Sequence, residues 1–179
     1  MLKIEYISIF LLKKSYNYYK IIVVRRWLTI SNIIISILSY LLVTIIHELG
    51  HAFFVRIYGG EIKGLGFGEG EVLIKVKKFF VKRKLILMGR IEWKLPINLT
   101  SYKYILIYIG GIIFNIITGT LVWIFGNVEY ADYYRNFIIF SYLVSFCSLV
   151  PFKYSPNTDS DGLKVLNIFI DKRSKLNDR

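Results

Sequence analysis

Histidine, cysteine and acidic residues are scarce in this chain of 179 residues. The lone cysteine, Cys147, excludes a disulfide within the chain. Only 12 acidic residues stand against 24 basic ones, which gives a formal net charge of +12. That balance is typical of nucleic-acid binders, but here the basic residues flank apolar segments, where anionic lipid head groups and membrane topology explain them better. We therefore expect membrane lipid, and no nucleic acid, as a partner.

Charge is also missing from long stretches of the chain, of which 55% is hydrophobic. About 20 apolar residues suffice to cross a bilayer as a helix. One such run leads from about residue 27 to residue 58, and a second covers about residues 104–125. A shorter third run, about residues 137–152, is bent or ended by Pro151. These runs predict a core of three membrane spans.

The segment between the first two runs, residues 61–95, has a different pattern. Glycines recur at every second position from 64 to 70, and partly alternating β-branched and aromatic residues follow them. This pattern favours two to four strands. The expected fold is thus an α-helical membrane protein with a three-span core and a small β-sheet inserted between spans 1 and 2.

The same reading divides the chain into three parts. Residues 1–26 are predicted to be an interfacial, basic and amphipathic segment, residues 27–170 the core, and residues 171–179 a charged tail. The positive-inside rule places the basic loop 56–103 and the C-terminal tail in the cytoplasm of a multi-pass protein of the cell membrane. The basic N-terminal segment then falls outside, against the rule, unless it re-enters the interface or crosses once more.

Both histidines of the chain lie in one pentapeptide, His47-Glu48-Leu49-Gly50-His51, near the end of the first apolar run. The spacing i, i+4 puts the two imidazoles on one helix face, where they can bind one Zn²⁺. The glutamate between them is placed to activate the attacking water. Ionisable groups at membrane depth are costly and usually functional, so this HExxH motif predicts a zinc site with Glu48 as general base.

Catalytic zinc usually takes three protein ligands and keeps a fourth position open. His47 and His51 supply two, no third histidine exists, and Cys147 lies in an apolar run. The third ligand is therefore expected to be a carboxylate. Asp159 and Asp161 both lie in a polar stretch directly after the third run, from which the chain can fold back on the first.

HELGH, the glycine-rich strand region, GGIIFN in the second run, and a third run leading through a proline to Asp161-Gly162 together resemble the site-2 protease family over roughly residues 27–170. This family consists of intramembrane zinc metalloproteases. The resemblance implies one zinc per chain, held by His47, His51 and Asp161. It also implies a role for Asn115 in holding the substrate backbone or the developing oxyanion, and a membrane-embedded or membrane-associated peptide as the substrate.

The chain departs from the family pattern at two positions and lacks an inserted regulatory domain. Ser148 stands where the family commonly has asparagine, and Pro151 and Asp161 are farther apart than usual. Short members with Pro-Phe-Lys and a later Ser-Asp-Gly resemble proteins linked to the processing or export of small peptides. Two alternatives stay open: a non-catalytic membrane accessory or immunity protein with structural zinc, and a cationic membrane-surface or nucleic-acid binder in which the motif is accidental.

Overall fold

A computed structural model describes the backbone of residues 2–156 and 158–177 and the side chains of residues 30–84, 88–156 and 158–171. The chain divides into two compact units, residues 1–38 and residues 39–179. The side chains of the predicted interfacial segment 1–26 lie outside the described residues, as do those of the tail beyond residue 171. The division of the chain into three parts therefore stays a prediction.

The first unit is the N-terminal part of helix α1, which as a whole runs Leu2–Ile57. The helix carries the HELGH pentapeptide close to its C-terminal end. It stops where the sequence predicts, because Gly59 takes a left-handed conformation with φ 77° and the Gly60 amide donates to the Val55 carbonyl at 2.8 Å. A glycine in this position is the common way to end a helix.

Two long antiparallel strands follow, β1 at Glu61–Val76 and β2 at Phe79–Lys94. Their number agrees with the predicted two to four strands. The register shifts repeatedly along the pair, and the glycines permit close contacts, since a methyl group on Gly66 would overlap the Phe80 carbonyl. The alternating glycines thus belong to a bulged hairpin.

The rest of the chain holds three helices and a second small hairpin. Helix α2 runs Ser101–Phe125, a single 3-10 turn covers Val128–Tyr130, and helix α3 runs Ala131–Leu149. The second hairpin pairs β3 at Lys153–Ser155 with β4 at Thr158–Asp159, and helix α4 runs Asp161–Asn177.

The predicted three-span core is wrong. Within the described part of the chain, the two helical segments long and apolar enough to cross a membrane are Ile30–Ile57 and Ser101–Phe125. Helix α3 is not apolar enough to cross a membrane, because its first turns carry Asp132, Arg135 and Asn136. Its apolar remainder, from Phe137 on, is about 20 Å long at 1.5 Å per residue, whereas the hydrocarbon core is about 30 Å thick.

Small residues let the helices of the second unit approach closely. A methyl group on Gly50 of α1 would overlap the Gly110 carbonyl of α2, and one on Gly119 would lie 2.8 Å from Cβ of Ser141 on α3. Ser145 of α3 also donates to the Ile112 carbonyl at 3.5 Å. Within a bilayer the hydrophobic effect does not drive helices together, so they associate through close contacts of this kind between small residues. They bring α2 directly against the face of α1 that carries the histidines.

Candidate metal centre

His47 and His51 lie one turn apart on the same face of α1. Both are buried, with 6% and 3% of their surface exposed. Their ring centroids are 4.8 Å apart and the rings are nearly perpendicular. This is the placement that the i, i+4 spacing predicts.

Asp161 reaches the histidines because the polar stretch before it forms a short hairpin whose two ends meet. The chain leaves α3, passes through the β3–β4 hairpin and returns, so that the Ser160 amide donates to the Phe152 carbonyl at 2.9 Å. A methyl group on Gly162 would overlap the Leu149 carbonyl at the end of α3. The unusual spacing between Pro151 and Asp161 is therefore taken up by the hairpin, and Asp161 begins α4 beside the end of α3.

Ser160 ties this junction together and is 1% exposed. Its hydroxyl donates to the Val150 carbonyl at 2.7 Å and accepts from the Phe152 and Leu163 amides, each at 3.1 Å. The last of these bonds caps the N-terminus of α4. One buried hydroxyl thus fixes the position of the neighbouring Asp161.

The three side chains converge on one point. Asp161 Oδ2 is 3.1 Å from His47 Nε2 and 3.3 Å from His51 Nε2. All three ligand atoms lie within 4.8 Å of one another, and all three residues are buried. Two ligand atoms bound to zinc at about 2.0–2.2 Å with tetrahedral angles lie about 3.3–3.5 Å apart. The group therefore has the composition and spacing to hold a metal ion.

The hydrogen bond on the far side of His51 supports the same conclusion. His51 Nδ1 is 2.7 Å from the Ile107 carbonyl, which can only accept, so Nδ1 carries a proton. A neutral His51 then turns a bare Nε2 lone pair towards the Asp161 carboxylate. Two lone pairs at this distance require a cation between them, either a proton or a metal ion.

Asp161 has a second partner on its own helix. Lys164 Nζ lies 3.0 Å from Asp161 Oδ1 and 5.4 Å from the ring centroid of Tyr108. Burial opposes ionisation of Asp161, but His51 in its charged form, hydrogen bonds from both imidazoles and Lys164 together hold the pKa of the carboxyl well below its usual range. The carboxylate is thus available as a ligand, with Oδ1 held by lysine and Oδ2 facing the histidines.

Glu48 lines a cavity of about 780 Å³ together with His47, His51 and Asp161. Strand β2 passes over it, because a methyl group on Gly89 would lie 2.8 Å from Glu48 Oε1. Apolar side chains of β2 and α3 form part of the wall, among them Ile91, Trp93 and Leu143. A site of this size and lining is typical of ligand-binding pockets.

The structure separates the other two candidates from this group. Asp159 lines the cavity but does not belong to the three-residue cluster. Asn115 is fully buried and is absent from the cavity wall. Its Nδ2 instead lies 3.3 Å from His47 Nδ1, on the side of the ring away from Asp161.

Sequence reasoning missed the residues that position the group, chiefly Ser160, Lys164 and the Ile107 carbonyl. A signal existed for one of them, since a serine three residues before the apolar run LKVLNIFI is a typical helix N-cap. None existed for Ile107, because its contribution is a main-chain atom.

No protein-family model and no solved structure matches the chain. Over 131 residues it is 30% identical to the uncharacterized membrane protein YwmF of Bacillus subtilis, a match that covers 71% of this chain and 81% of that protein. The chain belongs to the YwmF family. Its membership agrees with the two apolar helices and supports membrane association of this YwmF relative.

A second similarity concerns the chemistry. A Borreliella burgdorferi protein named "Putative zinc metalloprotease" is 29% identical over 127 residues, which cover 56% of this chain and 29% of that protein. The YwmF relative thus corresponds to less than a third of that longer protein. The match covers only part of a protein that is named as a zinc metalloprotease. The activity of this chain has to be tested directly.

Proposed function

We propose that this protein is an intramembrane zinc metalloendopeptidase of the site-2 type that binds one zinc per chain. Its substrates are membrane-embedded or membrane-associated peptides, with small-peptide maturation or export as the candidate role. The observation that carries the proposal is the convergence of His47, His51 and Asp161 at a cavity that Glu48 also lines. Three ligands and an adjacent carboxylate are the composition of a catalytic site, since structural zinc usually has four protein ligands.

In this proposal each residue has a defined task. His47, His51 and Asp161 hold the metal, which when bound polarises the scissile carbonyl and lowers the pKa of water to about 7. Glu48 takes a proton from the attacking water and later delivers it to the leaving amine. The apolar wall around Trp93 keeps bulk water from competing for these charges.

The β1–β2 hairpin is the proposed guide for the substrate. A helical peptide has its carbonyls hydrogen-bonded and must unwind before cleavage, which is costly in lipid. Pairing with a strand edge replaces the lost bonds, and β2 passes directly over Glu48 at Gly89. In the proposed orientation this hairpin, within loop 56–103, and the C-terminal tail face the cytoplasm, in keeping with their positive charge.

The first test is the zinc content of the detergent-purified protein, with Asp161→Ala beside Asp159→Ala. We expect one zinc per chain in the wild type and in Asp159→Ala, and loss of zinc in Asp161→Ala. Asp159 is a matched control because it lines the same cavity without joining the cluster. A zinc-free wild type after metal repletion would contradict the proposal.

The second test separates catalysis from structural zinc binding. With fluorescein-labelled casein in detergent as the probe, Glu48→Gln should keep its zinc and lose about 100-fold or more of the wild-type rate. X-ray absorption at the zinc edge should show three protein ligands. Equal rates in the wild type and Glu48→Gln, or a fourth protein ligand on the zinc, would favour a non-catalytic accessory protein with structural zinc.

A further inference from the structure

Asn115 is buried behind His47 and does not line the cavity, so a direct role in peptide hydrolysis does not explain its position. The residue is fully buried on α2, and it contacts His47 Nδ1 through Nδ2 at 3.3 Å. Its other amide atom, Oδ1, has no hydrogen-bond partner among the described residues. A buried amide oxygen without a partner is unusual in a folded protein. Its place behind the ring keeps Asn115 from the cavity in which a substrate carbonyl would lie.

The two nitrogens of His47 have different tasks in the proposed metal site, on which this inference depends. Nε2 faces Asp161 at 3.1 Å and has to offer its lone pair to the metal. A neutral imidazole that does so carries its proton on Nδ1, and that proton needs an acceptor. The Asn115 amide lies within hydrogen-bond distance of Nδ1, at 3.3 Å.

The orientation of that amide depends on the protonation of His47. The oxygen and nitrogen of an asparagine exchange places by a half-turn of the amide, and their assignment follows from the hydrogen-bond network. The orientation in the structure leaves Oδ1 without a partner among the described residues, and a half-turn of the amide brings Oδ1 to His47 Nδ1 instead. A bare Nδ1 favours Nδ2 as donor, whereas a protonated Nδ1 favours Oδ1 as acceptor.

We propose that Asn115 is a positioning residue, whose Oδ1 accepts the Nδ1 proton of His47 and so holds Nε2 ready for zinc. His51 shows the same arrangement with a main-chain acceptor, because its Nδ1 donates to the Ile107 carbonyl at 2.7 Å. Helix α2 thus supplies the acceptors for both histidines of α1. This role is distinct from donation to an oxyanion, which would require Asn115 to reach the substrate.

The presence of only two histidines makes the inference directly measurable. We would label the protein with ¹⁵N-histidine and record the ring nitrogens of the zinc-loaded protein, together with zinc Kd from competition with a chelator. In the wild type both rings should be protonated on Nδ1. Asn115→Leu, which has similar size and no acceptor, should weaken zinc binding by about 10- to 100-fold and move the His47 Nδ1 signal but not that of His51.

Two further variants keep the test decisive if Asn115→Leu is unstable. Asn115→Asp retains an acceptor and should bind zinc at least as tightly as the wild type, because carboxylates commonly accept this proton. Thr118→Val removes a hydroxyl from α2 that donates to the Phe114 and Asn115 carbonyls of its own helix and should change neither signal. Wild-type zinc affinity and an unchanged His47 signal in Asn115→Leu would overturn the positioning role, and a slower peptidase with those properties would restore the oxyanion role. A wild type that binds no zinc would instead overturn the metal site itself, and this inference with it.

Discussion

Gly111 lies directly against the imidazole of His47: a methyl group on its Cα would be 2.6 Å from Nε2 and 2.7 Å from Cε1. Two adjacent glycines in an apolar helix, Gly110 and Gly111, are typical of close packing between helices. For Gly110 that interpretation fits, since its neighbour is the Gly50 main chain. For Gly111 the structure adds a second reason, because the space beside the glycine is filled by a ring of the metal cluster.

Gly111→Ala should therefore impair zinc binding while leaving the helix intact. Overpacking of this kind costs about 1–3 kcal/mol, so we expect zinc Kd to rise by about tenfold or more as the His47 ring is displaced. Alanine is a better helix former than glycine by about 1 kcal/mol, so a weaker helix cannot explain the loss. Ile117→Ala, on an exposed position of the same helix, serves as the control, and an unchanged zinc Kd in Gly111→Ala would show that the ring does not need this space.

Ser160→Ala should destabilise the junction that presents Asp161. The variant removes a donor from Val150 and leaves the Phe152 and Leu163 amides without their acceptor. A fully buried group left unsatisfied costs about 1–3 kcal/mol, and these part-buried groups cost less than that each. We expect a lower thermal unfolding temperature in detergent and partial loss of zinc.

The matched variant for this position is Ser160→Thr, which keeps the hydroxyl. It should hold zinc better than Ser160→Ala, although the extra methyl group enters a site that is only 1% exposed. Full zinc occupancy and unaltered melting in Ser160→Ala would mean that the β3–β4 hairpin closes without this bond.

Gly89→Val should separate the base from the metal ligands. A side chain at Gly89 meets Glu48 Oε1 at 2.8 Å and Thr44 Cγ2 at 2.5 Å, whereas the ligand atoms are not among its nearest neighbours. We expect zinc content near one per chain and a peptidase rate on labelled casein reduced by about tenfold or more. Val76→Ala, exposed near the end of β1, should retain the rate, and loss of zinc in Gly89→Val would place β2 in the metal site rather than over the base.

The elements that sequence reasoning predicted well are those encoded by local patterns. The pentapeptide from His47 to His51 lies on an apolar helix that ends before Gly59, and the glycine-rich segment after it forms strands. Helical periodicity alone places the two imidazoles on one face. These features depend on residues close together in the chain, where composition and spacing determine the outcome.

The errors have a different origin. The apolar run alone predicts a third span, but Asp132 and Arg135 occupy the first turns of the same helix and leave too little apolar length. The sequence predicts only that the chain can fold back from the polar stretch 153–162, whereas its pairing into a hairpin depends on the contact between Phe152 and Ser160. The contacts of Asn115 and Ile107 with the histidines depend on how α2 lies against α1, and no pattern within either helix specifies that.

Because of the β3–β4 hairpin, the composition of the cavity wall and the position of Asp161 do not depend on each other. Because the chain leaves and rejoins the protein at Phe152 and Ser160, the segment between them can change in length or composition without moving Asp161. Tyr154, Thr158 and Asp159 of that segment line the cavity. Relatives of this chain can therefore remodel the cavity wall by insertion or substitution while the three converging side chains stay in place.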